Sequence, residues 1–306
     1  MTECERIVNA GIVPEDFLKD ETICETFVPS VIKKVWAISI DLYFELRRVC
    51  DKHHLKLFTD GGTTLGAVRH HGFIPWDDDM DFCLLREDYE KLKNLHDEFS
   101  SPYFLQTPET DSEYGYSYMK LCNSKTTSIL RPFVNARYNH GICIDIFPID
   151  KVHFSDYEEN RNEIDKIIRI NSAFMRRDVP NPTPRDIEMI NSLPAHVSLQ
   201  ENWAKIENIA SKYRNQDCNY LSLIVSTQYA PKNKIWPSRV FEDSVEMPFL
   251  DFTVPVPIGW EEQMKIYFGD YMKYPPIEKR NTWHTAEYEP DVPYLKYYEE
   301  HYWTNK

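Results

Sequence analysis

Ile74-Pro75-Trp76-Asp77-Asp78-Asp79-Met80-Asp81-Phe82-Cys83-Leu84-Leu85 places four carboxylates in five positions at the head of an apolar run. Met80 to Leu85 has the content of a strand. Alternation then puts Met80, Phe82 and Leu84 on one face and Asp79, Asp81 and Cys83 on the other, with Asp77 extending the acidic side. Like charges packed this tightly are costly unless a cation neutralises them, and a hard, oxygen-ligated ion, Mg²⁺ or Mn²⁺, suits such a site. The bland alternative is a solvated acidic turn. The apolar flanks, Trp76 before and Phe82 after, weigh against it. A calcium loop of the EF-hand type fits poorly. Counted from Asp77, its sixth position is Phe82 where glycine is required, and its twelfth is Asp88 in place of Glu.

Outward from this stretch the chain alternates helix and strand. Val31, Val35, Ile38, Leu42, Leu46 and Val49 step by three or four, which predicts an amphipathic helix. Residues 1–28 lack such a period and read as an irregular lead-in. Leu55 to Phe58 reads as a short strand, Asp60-Gly61-Gly62-Thr63 as a turn of small residues, and Thr64 to His70 as a brief helix. Arg86 to Phe99 returns to helical spacing with acidic residues in its first turn. Ile142-Cys143-Ile144-Asp145-Ile146-Phe147-Pro148 predicts a second strand with its isoleucines toward the core and Asp145 on the opposite face. Residues 156–177 and 199–214 look helical, separated by Pro180-Asn181-Pro182-Thr183-Pro184, which cannot continue a helix. From about 219 the chain mixes short strands with Pro-rich turns and ends in a Tyr- and Trp-rich tail.

The 306 residues carry 35 Lys plus Arg against 49 Asp plus Glu, a formal charge of −14, which is the wrong sign for a nucleic-acid partner. An acidic chain that handles phosphates must concentrate its cations locally or recruit metal. The seven cysteines are scattered, with no C-x-x-C, and read as reduced thiols. The N-terminus begins acidic, and no stretch approaches the roughly 18 apolar residues of a membrane span. A cytoplasmic protein, at most peripheral to a membrane, is the expectation.

A small-residue turn, two acids at i and i+2 on a strand, and a distant third acid on another strand form the layout of metal-dependent nucleotidyl transfer. On this reading Asp79, Asp81 and Asp145 are the candidate catalytic and metal residues. Gly61, Gly62 and Thr63 are candidate phosphate contacts through backbone N–H groups and a hydroxyl. Arg69 and Lys120 are further candidates for phosphate oxygens, with a structural salt bridge as the equal alternative for each. His70, His71 and His140 lack metal-ligand spacing and suit hydrogen bonding better.

The run from Gly62 to Asp81 resembles the signature of the LicD/fukutin family of phosphotransferases. Gly141 to Asp150 resembles that family's second block. Val254-Pro255-Val256-Pro257-Ile258-Gly259, with Tyr267-Phe268-Gly269-Asp270-Tyr271-Met272 and Pro275-Pro276, is similar to its C-terminal block. Thr64 and Phe268 depart from the usual pattern without touching the acids. The resemblance implies an α/β fold with a nucleotidyltransferase-like mixed sheet core at 30–155, after a lead-in at 1–29. A helical lobe at 156–218 and a C-terminal region at 219–306, folding back to complete the site, follow. It also implies metal on Asp79 and Asp81, the third carboxylate at Asp145, and phosphate near Gly62 and Thr63. The implied reaction moves a phosphorylated alcohol from its CDP ester to a sugar hydroxyl of a cell-surface glycan or lipid-linked precursor, releasing CMP. CDP-choline is favoured, since 19 Tyr and 7 Trp supply aromatic faces for a quaternary ammonium. The rivals are nucleotide transfer from an NTP with release of pyrophosphate, and a non-catalytic glycan-binding protein on the same fold.

Overall fold

The computed structural model describes residues 1–226, 234–280, 283–284 and 286–302; the last residues of the aromatic tail, 303–306, lie outside them. The lead-in is more regular than its weak periodicity suggests. Helix α1 (Glu3–Asn9) starts at a capping box in which Thr2 and Glu5 each bond the other's backbone N–H, so two local hydrogen bonds fix a helix too short to show a period. A small hairpin, β1 (Glu21–Ile23) and β2 (Thr26–Val28), leads to the long helix α2 (Ser30–Lys52). Its apolar stripe is buried from Val35 to Val49, with Val31 half-buried, and Trp36 stacks on Phe73 at 4.6 Å and Tyr43 on Phe82 at 5.2 Å.

Strand β3 is only Phe58–Thr59, and the glycine turn after it coils into the one-turn helix α3 (Gly61–Leu65). Strand β4 (Asp81–Leu85) feeds directly into α4 (Arg86–Lys93), shorter than its periodicity predicts because the last part turns into a 3-10 segment at His96–Glu98. Then come β5 (Tyr103–Gln106), β6 (Met119–Asn123), β7 (Thr127–Leu130) and the central strand β8 (Ile142–Lys151). β8 runs parallel to β4 and antiparallel to β6, and β3 closes antiparallel on β4, so the sheet is mixed. One face, carrying Phe82, Leu84, Ile144 and Ile146, packs into the same core as α2. The other face carries the acids.

Three helices follow: α5 (Tyr157–Met175), α6 (Pro184–Asn191) and α7 (Leu199–Ala210). α5 and α7 share a separate apolar cluster through Ile164, Ile168 and Ile206. At the sheet edge, Arg86 at the start of α4 lies between Asp150 of β8 and Glu207 of α7, with all three contacts at 2.7 Å. Arg86 and Asp150 are both buried.

Strand β9 (Tyr220–Ser222) extends the sheet from Asp150 and Lys151, and β10 (Ile235–Pro237) pairs with it. A hairpin, β11 (Ser244–Phe249) and β12 (Phe252–Pro257), precedes α8 (Trp260–Phe268). Strand β13 (Ala286–Glu289) pairs with β7, and α9 (Tyr294–His301) seats Tyr298 beside Ile129 and Val134. The final stretch therefore returns to segments from the first half of the chain. Among the described residues no helix is long and apolar enough to cross a membrane. The cysteines are free thiols, with Cys24 exposed, Cys143 half-buried and the others buried.

Candidate active site

Register decides which side chains meet. Asp81 of β4 and Asp145 of β8 are partners in the parallel ladder, and Lys120 of β6 is the antiparallel partner of Asp145. Partners across a sheet project to the same face. The strands thus lay Asp81, Asp145 and Lys120 in one row, with Lys120 Nζ 2.8 Å from Asp145 Oδ1. The neighbours Phe82, Ile144 and Ile146 fill the core beneath and hold the row in place.

The acids before the strand are set by a turn. The backbone N–H of Asp77 donates to the Ile74 carbonyl at 2.9 Å, and Trp36 Nε1 donates to the carbonyl of Asp77 at 2.9 Å. Asp77, Asp79 and Asp81 border a cleft of about 470 Å³ that Gly61, Gly62, Lys120 and Asp145 also line. Asp78 is 2% exposed and is gripped from the far end of the chain. The backbone N–H of His284 and the hydroxyl of Tyr288 each donate to its Oδ2 at 2.8 Å, and His284 Nδ1 lies 2.8 Å from its Oδ1.

The glycines serve this crowding. A Cβ at residue 62 would collide with the Asp77 carboxylate, and Gly61 adopts φ +48° where a Cβ would sit 3.4 Å from Asp81 Oδ2. Two glycines here let backbone approach carboxylates. The Thr63 hydroxyl is already committed, accepting from the backbone N–H of Asp81 at 2.8 Å, so it pins the start of β4. Arg69 is not brought to the cleft. Its guanidinium donates to the carbonyl of Tyr271 at 2.8 Å and to His70 Nε2 at 3.0 Å, and lies over the ring of Tyr274. His140 bonds the Ala136 carbonyl inside the core, 2.8 Å away.

Burial raises the pKa of Asp77, Asp79 and Asp81, most strongly at Asp77 and Asp81, where the neighbouring carboxylates add to it. At Asp79 the nearby His284 opposes the rise. His284, hydrogen-bonded to Asp78, is itself pushed up to about 9. Six carboxylates, of Asp60, Asp77, Asp78, Asp79, Asp81 and Asp145, line this one cleft, and like charges gathered so closely are costly without cations beside them. Their all-oxygen donor set suits a hard divalent ion. One oxygen each of Asp78 and Asp79 and a ring nitrogen of His284 also come within 4.8 Å of one another, so a histidine joins the possible ligand group.

Several cleft residues carry no sequence signal of their own. Asp60, directly before the glycines, accepts from Tyr267 at 2.8 Å and from Gln263 at 2.9 Å, both on α8. Burial raises its pKa against the pull of Lys234 and Tyr267. Lys234, His284 and Tyr288 each stand alone in sequence. Only Tyr267 lies inside a recognisable block, where it reads as an aromatic and not as a partner for Asp60.

Residues 54–183 match the family model described as LicD/FKTN/FKRP, nucleotidyltransferase domain. The chain is 26% identical over 250 residues to the lipopolysaccharide cholinephosphotransferase LicD of Haemophilus influenzae, covering 78% of this chain and 90% of that protein. A shorter match of 48 residues, at 44% identity, is to an uncharacterised protein of Rickettsia prowazekii, covering 16% of this chain and 18% of that protein. An uncharacterised protein of Rickettsia typhi is 42% identical over 48 residues, 16% of each chain.

Proposed function

We propose, for a chain that belongs to the LicD family of phosphotransferases, that it transfers phosphocholine from CDP-choline to a sugar hydroxyl of a lipopolysaccharide-like glycan and releases CMP. The observation that carries this reading is the row in which Asp81 and Asp145 stand side by side with Lys120 at its end. Asp79 and Asp81 would hold a divalent cation, with Asp145 beside them as the third carboxylate. When bound, that ion draws negative charge from the phosphate oxygens and leaves the phosphorus open to attack.

The residues of the chain supply the rest. Lys120 fixes the orientation of Asp145 through their 2.8 Å contact. Asp145 takes the proton of the acceptor hydroxyl as its oxygen bonds to the β-phosphorus and the bond to the CMP oxygen breaks. Asp78, clamped by His284 and Tyr288, anchors the turn that aims Asp77 and Asp79 into the cleft. Tyr116, Tyr118, Tyr267, Phe268 and Tyr288 give the cleft aromatic walls, which supports a quaternary ammonium over a polyol.

Incubating the protein with CDP-choline, CDP-ribitol, CDP-glycerol or CTP and Mg²⁺ or Mn²⁺, and identifying the nucleotide product, tests the proposal. Release of CMP from CDP-choline is the expected result. Pyrophosphate release from CTP in its place would reassign the cleft to nucleotide transfer.

A further inference from the structure

Lys234 is a buried cation on the wall of the cleft, 8% exposed, positioned just before β10. Its ammonium sits 3.7 Å from the centroid of the Tyr267 ring, which fixes it in place. Among the described residues the ammonium enters no ion pair and donates no hydrogen bond, although Asp60 and Asp81 are close enough for their charges to act on it. The side chain is largely buried but lines the cleft, so the three donors of its ammonium are available to an anionic group bound there. Lys120 differs in this respect, because Asp145 already holds it. The cleft thus has a committed lysine at one end of the acidic row and an uncommitted one near the other, beside Asp81.

We infer that Lys234 binds the nucleotide-side phosphate of the donor, the group that departs with CMP. In-line displacement places the incoming and departing oxygens on opposite sides of the phosphorus. With the acceptor hydroxyl at Asp145, the departing oxygen belongs toward Asp81, which is where Lys234 stands. Tyr267 connects this lysine to the glycine turn. Its ring carries the ammonium while its hydroxyl donates to Asp60 at 2.8 Å, so α8 positions cation and turn together. The inference rests on the proposed transfer for the identity of the phosphate, but not for the lysine's preference for phosphate.

Calorimetric titration of the full chain with CMP, cytidine and pyrophosphate in Mg²⁺, for wild type, Lys234→Met and Lys234→Arg, tests it. Loss of one charge-assisted contact should weaken CMP and pyrophosphate by roughly tenfold to a hundredfold in Lys234→Met, with arginine recovering most of the loss. Cytidine, which lacks phosphate, should bind both variants as it binds wild type. CMP and pyrophosphate affinities within about twofold of wild type in Lys234→Met would overturn the inference. So would a parallel loss for cytidine, which marks a structural lysine. Wild-type binding of pyrophosphate without CMP would remove the CDP-donor reading, and the pyrophosphate titration would still decide the role of the lysine. Wild-type binding of neither phosphate compound would overturn both.

Discussion

Asp81 and Asp145 are register partners on adjacent parallel strands, so the hydrogen-bond ladder itself sets two carboxylates side by side. In a metal-free protein this arrangement stores repulsion, since burial and neighbouring charge both disfavour ionised Asp81. Asp81→Asn should therefore raise the melting temperature in chelator while abolishing turnover and the stabilisation that Mg²⁺ or Mn²⁺ gives wild type. Asp79→Asn should behave alike for metal and turnover. Thermal melts with and without metal check this. A metal-linked shift that survives both substitutions would remove these acids from the ligand set.

Asp145→Asn should collapse kcat by about a hundredfold or more with donor affinity nearly constant, as for the loss of a proton acceptor used only in the chemical step. Lys120→Met should lower kcat through the same carboxylate by freeing it from its 2.8 Å partner. Combining the two should cost little beyond Asp145→Asn alone, because the lysine acts through the acid. Steady-state kinetics of the single and double variants decide it, and additive losses would give Lys120 a separate task.

Arg86→Met should destabilise the fold by about 3–5 kcal/mol, because it strands buried Asp150 without its partner. Both carboxylate oxygens of Asp150 accept from that guanidinium at 2.7 Å. Denaturant unfolding measures the loss. Arg86→Met with Asp150→Leu should recover part of it, since the fully buried carboxylate is then gone and only the half-buried Glu207 is left without its partner.

His140 should make the protein acid-sensitive. Burial lowers its pKa from 6.5 to about 4, so between those values the unfolded chain binds a proton that the folded chain refuses. Stability from this group is complete above 6.5 and is lost progressively as pH falls toward about 4. The cleft acids, whose folded pKa values are raised, contribute the opposite slope, so the comparison must be between proteins. His140→Asn should flatten the pH dependence of unfolding relative to wild type over that window. Equal slopes would show that His140 is not responsible.

The acidic face of β4 and the placement of Asp145 are legible in the sequence because strand alternation is a local property of residues 80–85 and 142–148. Helix α2 is legible for the same reason, through a stripe long enough to repeat. What alternation cannot supply is register. Nothing near Asp145 states that it will stand beside Asp81 and opposite Lys120. Thr63 and Arg69 carry the right functional groups in the right neighbourhood, yet a backbone N–H claims one and carbonyls of the C-terminal segment claim the other. His284, Tyr288 and Lys234 are single residues without a period, drawn to the acids only by tertiary folding. The capping box of α1 was the readable signal in the lead-in, in Thr2 and Glu5, where helical periodicity had too few residues to register.

The grip of His284 on Asp78, and of Tyr267 on Asp60, joins residues more than two hundred positions apart. During synthesis the acidic turn leaves the ribosome long before the side chains that clamp it. Asp60 and Asp78 therefore take these partners only once α8 and the segment from His284 to Tyr288 have been made. Contacts of such sequence separation are non-local, and both clamps on the cleft depend on them. A chain cut before α8 would keep the residues that pair β4 with β8 and lose the partners of Asp60 and Asp78.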